Sequence, residues 1–473
     1  MKQINFIVIG GSGHWCELNH YPAILSLSKH AIESKVAVIC DPINPRETKS
    51  THYKVGRKNL KKIIEKDQPY WLNPKKLSKD ELRAKLDELV DRYSINAVII
   101  ASNPTDHYFY AEWAVSKGIN TLCDKPLITI PDSSWKISNA KKINQQFTTI
   151  LEAVVAARQK KNDFIFCTPL RRRALTSFND IATGLENIYD QTGQGVTHMN
   201  LIVNGGVHRY PVEYLKGGAH GYLDGVGSLS HSSYHYIDVI AWYLQSAPGK
   251  LSAIEVSLPY VSRVRDYLNK RGYEQLMRLN DEQAATVDGP IDLPESVLNC
   301  ELDFMVVMKL KDQNGNSLGS VEYSCNHTTY TSRTTKYEPD MLDHTNDKGG
   351  GRMSQIYLDV HQGPVQNFYL TKNDIVFEGD EISVIRRLHP NLGSKKSQKV
   401  YADAYNTETV TTQDLFVSFA RLTVGLSIPK GHLKHLQVIE TQKLSHALFA
   451  SIYELIALNF SEPNKLHSRE IKI

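Results

Sequence analysis

Four clusters of residues in this chain have the types and spacing to do chemistry. The first is Gly10-Gly11-Ser12-Gly13, which follows the apolar run Ile4 to Ile9. Glycine after such a strand lets backbone N–H groups approach a pyrophosphate at a helix amino terminus. The third fingerprint position falls on Cys16, small but not glycine. The second is Asp41, which ends a strand-like segment, Lys35 to Cys40. A carboxylate there hydrogen-bonds the adenosine ribose hydroxyls and repels a 2′-phosphate, which favours NAD over NADP. The third is Asp124-Lys125-Pro126, behind a short strand, at the carboxyl end where open α/β sheets bind ligands. The fourth is His231 and His235, four residues apart in GVGSLSHSSYHYIDVIAWYL (225–244), a spacing that shares one α-helical face. His231, His235 and Asp238 have helical spacing for a metal, but nothing nearby completes a site, so no metal is expected.

The elements that must position these residues alternate in type. After Ile4–Ile9 come a helix over Pro22 to His30 and the strand Lys35–Cys40; residues 44–75 read as a polar, lysine-rich surface excursion. Lys79 to Arg92 is an amphipathic helix with Leu82, Leu86 and Leu89 on one face, and Ser78 with Glu81 forms a capping box. Ala97–Ala101 is a buried strand, a helix starts near His107, residues 133–160 read as helix, and Asp163–Cys167 as strand. Strands alternating with helices predict a doubly wound parallel sheet over residues 1–168. Beyond it, Val196–Asn204, Asn299–Leu310, Ser317–Cys325, Gln355–Val360, Gln366–Leu370 and Asp374–Glu378 read as strands. Asp312-Gln-Asn-Gly-Asn-Ser between two of them is a hairpin signal. Residues 169–473 are therefore expected to form an α+β domain with a mainly antiparallel sheet, a long polar loop at 327–351 and a closing helix over Leu436 to Asn459.

Asn103-Pro104-x-x-His107, followed by Lys117-Gly118 and Asp124-Lys125-Pro126-Leu127, resembles the glucose–fructose oxidoreductase / inositol dehydrogenase (Gfo/Idh/MocA) family. The segment from Gly227 to Asp238 resembles the same family's Gly-Gly-x-Leu-x-Asp-x-Gly-x-His-x-x-Asp. The resemblance implies a cofactor site formed by Gly10, Gly11, Ser12, Gly13, Asp41, Asn103, Pro104, His107, Asp124 and Lys125. It also implies catalytic roles: His235 as the base taking a hydroxyl proton, and Lys125 hydrogen-bonding the same oxygen as alkoxide character develops. Where the family carries aspartate, this chain has His231, and the following glycine position is Ser233. A carboxylate would raise the basicity of His235; a neutral histidine can only fix its tautomer. Asp238 is expected to be structural. Arg171, Arg172 and Arg173 follow the last strand of the first domain, and His208, Arg209 and Tyr234 are substrate-pocket candidates by proximity in sequence alone.

The implied function is NAD(P)-dependent hydride transfer at a hydroxyl-bearing carbon of a sugar, sugar derivative or cyclitol. Two alternatives stay open: a glycosidase that retains NAD, and a non-catalytic dinucleotide or sugar sensor, which the loss of the aspartate at 231 favours and the retained Lys125 and His235 disfavour. The expected partner is a small carbohydrate-like molecule. Second domains of this kind pair through an exposed sheet face, so a homodimer or homotetramer is expected. The chain is longer than most relatives, so the substrate itself does not carry over.

Composition narrows the class. A chain of 473 residues accommodates two domains and a large core. The net charge is +4, and lysine-rich pieces such as Arg57–Lys66 read as solvated surface, so no nucleic-acid partner is expected. The six cysteines are scattered without Cys-x-x-Cys, which suggests a reducing compartment. The first residues form a strand rather than a signal peptide, and no apolar run approaches a membrane span; a cytoplasmic protein is expected.

Overall fold

The computed structural model describes residues 2–45, 57–205, 214–215, 221–269, 293–329, 355–372, 381–393, 396–401, 411–429 and 438–473. The chain forms two compact units. The first comprises Met1–Thr129, Asn144–Ala174 and Val410–Lys443; the second comprises Ile130–Ile143, Leu175–Thr409 and Leu444–Ile473.

In the first unit, β1 (Lys2–Ile9), β2 (Ile32–Cys40), β3 (Tyr70–Leu72), β4 (Ala97–Ile100), β5 (Asn120–Cys123) and β6 (Phe166–Cys167) form a parallel sheet in the order β3-β2-β1-β4-β5-β6. This is the doubly wound order, and its direction reverses between β1 and β4, the switch point at which such sheets bind ligands. The apolar runs of β1 and β4 are buried, as strands covered on both faces require. The capping box of Ser78 and Glu81 forms, and Leu82, Leu86 and Leu89 are buried on the helix Lys79–Tyr93. The polar stretch 44–75 differs from expectation. It holds a helix, Lys58–Asp67, that buries Leu60 and Ile63, and the edge strand β3. Lysines on the solvated side of that helix mask its apolar positions, and a three-residue strand is too short to show alternation. The helix Thr412–Thr423 belongs to this unit too, placing Phe416, Phe419 and Ala420 in one cluster with Phe6, Ile24 and Leu27.

The second unit contains β7 (His198–Asn204), β8 (Ala253–Arg263), β9 (Glu301–Lys311), β10 (Ser317–Asn326), β11 (Gln355–Gln362), β12 (Gln366–Lys372), β13 (Ile382–Leu388), β14 (Lys396–Tyr401) and β15 (Ser468–Lys472). Their order is β14-β13-β12-β11-β7-β10-β9-β8-β15. Among the described residues the pairings are antiparallel except β7 with β10, which run parallel. The β9–β10 hairpin closes where the sequence expects it: Asp312 accepts the backbone N–H groups of Asn314 and Asn316, and Gly315 takes φ +79°. The closing helix is Lys443–Ser461, preceded by a 3-10 turn at Ile439–Gln442. The helix expected over 133–160 runs from Ile137 to Lys160. The expected strand 374–378 and most of the loop 327–351 lie outside the described residues. No helix among the described residues is long and apolar enough to cross a membrane.

Candidate functional site

The first unit gathers the glycine loop, Asp41, the Asn103 turn and Lys125 at the carboxyl ends of β1, β2, β4 and β5. Gly10 is required sterically: its φ is +77°, and a Cβ there would lie 2.4 Å from the Ala101 carbonyl oxygen. Its N–H donates to Cys40 O at 2.9 Å, and Gly13 N–H turns back to Gly10 O at 3.0 Å. Gly11 leaves room for Tyr21, whose hydroxyl donates to Gly11 O at 2.7 Å. Cys16 fits the third glycine position by being fully buried, with Sγ 3.6 Å from Gly10 O. Burial pushes its thiol well up, so it behaves as an apolar filler.

Asp41 sits at the end of β2 and is 5% exposed. One oxygen accepts from Ser12 N at 2.9 Å, the other from Ile43 N at 2.8 Å, and the Ser12 hydroxyl donates to Ile43 O at 2.6 Å. Burial raises the Asp41 pKa, while these hydrogen bonds and the Arg57 charge pull it down. Arg57 Nη1 lies 3.4 Å from His14 Nδ1.

The Asn103 side chain accepts from Thr105 N and caps the 3-10 turn Pro104–Asp106. His107 follows, fully buried at the start of the helix His107–Ser116. Its Nδ1 is 2.9 Å from Pro126 O and its Nε2 3.1 Å from Ser102 O. Asp124 N–H donates to Ile100 O at 2.8 Å, which fixes the residue at the end of β5. Its carboxylate accepts from His20 Nε2 at 3.1 Å. Lys125, half-buried, stands between Asp124 and Pro126. His20 escaped the sequence reading. It lies in a π-helical turn, Cys16–His20, on a stretch that reads as loop, and its partner is 104 residues away. Glu17 of the same turn also escaped; it caps the helix Lys58–Asp67 by accepting from Asn59 N and Leu60 N. Among the arginines, Arg173 is buried and donates to Thr441 from both Nη atoms at 3.3 Å, a structural tie; Arg171 and Arg172 are half-buried.

In the second unit, the loop Gly225–Leu229 runs into a π-helical turn, Leu229–Ser233, and then the helix Tyr234–Ser246. Glu301, fully buried, organises the loop. Its Oε1 accepts from Gly227 N and Leu229 N, both at 3.0 Å, and its Oε2 accepts from the Ser134 hydroxyl. A Cβ on Gly227 would lie 2.0 Å from Glu301 O. Ser233 donates to Cys325 Sγ at 2.9 Å, and Ser232 Oγ lies 2.8 Å from His327 Nε2, so the turn is tied to the end of β10.

His235 is half-exposed on the first turn of its helix. The backbone around His231 is π-wound, so the α-helical rule that places i and i+4 on one face does not carry across to His235. The His231 side chain, His208 and Arg209 lie outside the described residues. Tyr234 is fully buried, its ring 5.2 Å from His446 and 5.0 Å from Phe449. Asp238 is buried and accepts from the Ser445 hydroxyl at 2.7 Å.

Residues 4–149 match the model of an oxidoreductase family with an NAD-binding Rossmann fold, GFO_IDH_MocA. No curated protein matches the chain in sequence. Among solved structures, the WlbA dehydrogenase of Bordetella pertussis, in complex with NADH and UDP-GlcNAcA, is similar with a TM-score of 0.53 and 13% identity over 100% of this chain and 98% of that one. An aldose-aldose oxidoreductase of Caulobacter crescentus, complexed with glycerol, gives 0.51 and 12% over 100% of both chains. An oxidoreductase of Agrobacterium radiobacter, in complex with NAD+, L-tartaric acid and magnesium, gives 0.50 and 14% over 99% of this chain and 98% of that one. At such identities the likeness speaks to the fold.

Proposed function

We propose that the protein transfers a hydride between NAD and a hydroxyl-bearing carbon of a sugar, sugar derivative or cyclitol, a reading supported by the match of residues 4–149 to the NAD-binding Rossmann fold of the Gfo/Idh/MocA oxidoreductases. The observation that carries the reading is the cluster at the switch point of the first sheet. There the glycine loop, Asp41 and Lys125 end adjacent or nearby strands in the order a dinucleotide site needs. The residues fit the cofactor. A Cβ at Gly10 would strike Ala101 O and one at Gly13 would press on Gly10 O at 3.0 Å, so the loop keeps its backbone bare. Asp41 retains acceptor capacity beyond its two backbone donors, as ribose hydroxyls require.

When bound, the nicotinamide supplies the hydride acceptor. The chain supplies the rest. Lys125 donates to the reacting hydroxyl oxygen and stabilises the charge that grows on it. His235 takes the hydroxyl proton; an imidazole titrates near working pH and needs only hydrogen-bond reach of that proton. Asp41 binds the adenosine ribose and disfavours a 2′-phosphate, hence NAD over NADP. The second-unit sheet offers a pairing face for a homodimer or homotetramer.

The test is absorbance of reduced nicotinamide when the protein meets NAD and a panel of sugars, amino sugars, uronates and cyclitols. A substrate-dependent rise is expected. Lys125→Ala should lower turnover on that substrate by about 100-fold or more while NAD affinity stays within a few-fold. Silence across the panel with NAD bound would favour the retained-cofactor glycosidase or the sensor, the reading to which His231 in place of an acid already lends weight.

A further inference from the structure

Lys125 has a long, flexible side chain, and a flexible ammonium acts on one oxygen reproducibly only if its backbone is fixed to within a fraction of an ångström. The structure fixes that backbone on both sides by histidines. Before Lys125, the Asp124 carboxylate accepts from His20 Nε2, with oxygens at 3.1 and 3.3 Å. After it, Pro126 O lies 2.9 Å from His107 Nδ1. Both rings are shielded, His20 at 3% exposure and His107 at 0%. Each ring also lies against a second element. His20 belongs to the turn that continues the glycine loop, and His107 Nε2 lies 3.1 Å from Ser102 O at the end of β4. The ties therefore run from the carboxyl ends of β1 and β4 to that of β5.

We propose that His20 and His107 are positioning residues for Lys125, holding it through Asp124 and Pro126 and registering it against the glycine loop and the β4 turn. The proposal rests on the reading that Lys125 meets the reacting oxygen. A neutral imidazole donates from one nitrogen only. His20 needs only Nε2–H for its role, and a glutamine amide N–H reaches a similar position. His107 faces carbonyls at both nitrogens; as a neutral ring it donates to only one, so its hold on Pro126 O requires the Nδ1–H tautomer.

Two readouts test this in the full-length protein. Reductive dimethylation with 13C-formaldehyde reports each lysine as an NMR signal, and Lys125→Arg identifies the one from Lys125. His20→Leu and His107→Leu should each move that signal towards the position of a free lysine, and His20→Gln should return it most of the way. In turnover, His20→Leu should lower kcat by roughly 10- to 100-fold, the cost of a misplaced reacting group, with NAD affinity changed by less than about threefold. His20→Gln should recover most of the rate. If His107→Leu does not fold, the His20 pair carries the test. A Lys125 signal unmoved in His20→Leu would overturn the proposal whether or not a substrate is known. So would NAD affinity falling in step with kcat. A moved signal with no turnover on any sugar would support the brace and sink the dehydrogenase reading instead.

Discussion

The two units solve one problem in the same way and use the answer differently. In each, a glycine-bearing loop enters a helix through a π-helical turn: Gly10–Gly13 through Cys16–His20, and Gly225–Leu229 through Leu229–Ser233. In each, a buried carboxylate from a distant strand end takes two backbone N–H groups. Asp41 takes those of Ser12 and Ile43, and Glu301 those of Gly227 and Leu229. Burial raises both pKa values, against hydrogen bonds and an arginine that lower them. The difference lies in what remains. Glu301 also takes the Ser134 hydroxyl and lies 3.3 Å from the Tyr453 hydroxyl, so its capacity is absorbed by the fold. Asp41 takes one backbone N–H per oxygen, with the Ser12 hydroxyl beside it, and no buried tyrosine among the described residues joins it. The same device makes a scaffold in one unit and, under the proposed function, a ribose-binding carboxylate in the other.

The largest effects should come from the glycines. Gly227→Ala puts a Cβ 2.0 Å from Glu301 O, backbone against backbone, with no flexible side chain to yield. It should cost several kcal/mol, about 3 or more, and lower the melting temperature sharply. Gly10→Ala meets Ala101 O at 2.4 Å and a positive φ, and should abolish NAD binding as well as destabilise the protein. Because the comparison assigns Gly227 to scaffold alone, a Gly227→Ala protein that melts like its parent would break it.

Next come the carboxylates, where the amide variants separate the two roles. Glu301→Ala strands two buried N–H groups, at about 1–3 kcal/mol each. In Glu301→Gln the amide oxygen can replace Oε1 for both N–H groups while the NH2 faces the Ser134 hydroxyl, which can accept; the cost should stay near 1 kcal/mol. Asp41→Asn has no such solution, because each oxygen faces a backbone N–H. It should lose about 1–3 kcal/mol and weaken NAD binding, and Asp41→Ala should also relax discrimination against NADP. Chemical denaturation and cofactor titration check both. Glu301→Gln proving worse than Asp41→Asn would reverse the comparison.

What the sequence revealed follows the same division. The cluster that forms the first unit's candidate site was legible because its signals are local: glycines directly after an apolar run, an acid at a strand end, and Asn103 to His107 and Asp124 to Pro126 as contiguous motifs. Its hidden parts, His20 and the helix Lys58–Asp67, depend on partners far along the chain or are screened by lysines. In the second unit Gly227 was legible within a motif, but the residue that explains it was not. Glu301 is 74 residues away and opens a strand with nothing local to mark it. The parallel pairing of β7 with β10 was likewise invisible, because alternation fixes which face is buried and not which neighbour a strand takes.

The smallest contrast concerns acid. Both units bury a histidine, in unlike surroundings. His446 lies against the rings of Tyr234 and Phe449, and burial pushes its pKa down to about 3. His107 is also lowered by burial, but its carbonyl partners and the Asp124 and Asp106 charges draw it back towards the ordinary value. In both, the folded state favours the neutral ring, and the unfolded chain binds a proton below a pH of about 6.5. Each therefore contributes stability above that pH, and the contribution is lost as pH falls. For His446 the loss continues to about pH 3. Stability measured by denaturant from pH 7 to pH 5 should fall by about 2 kcal/mol less in His446→Leu than in the parent, at 1.36 kcal/mol per pH unit below 6.5. Parallel profiles for the parent and His446→Leu would show that the ring in the second unit takes its proton as readily folded as unfolded.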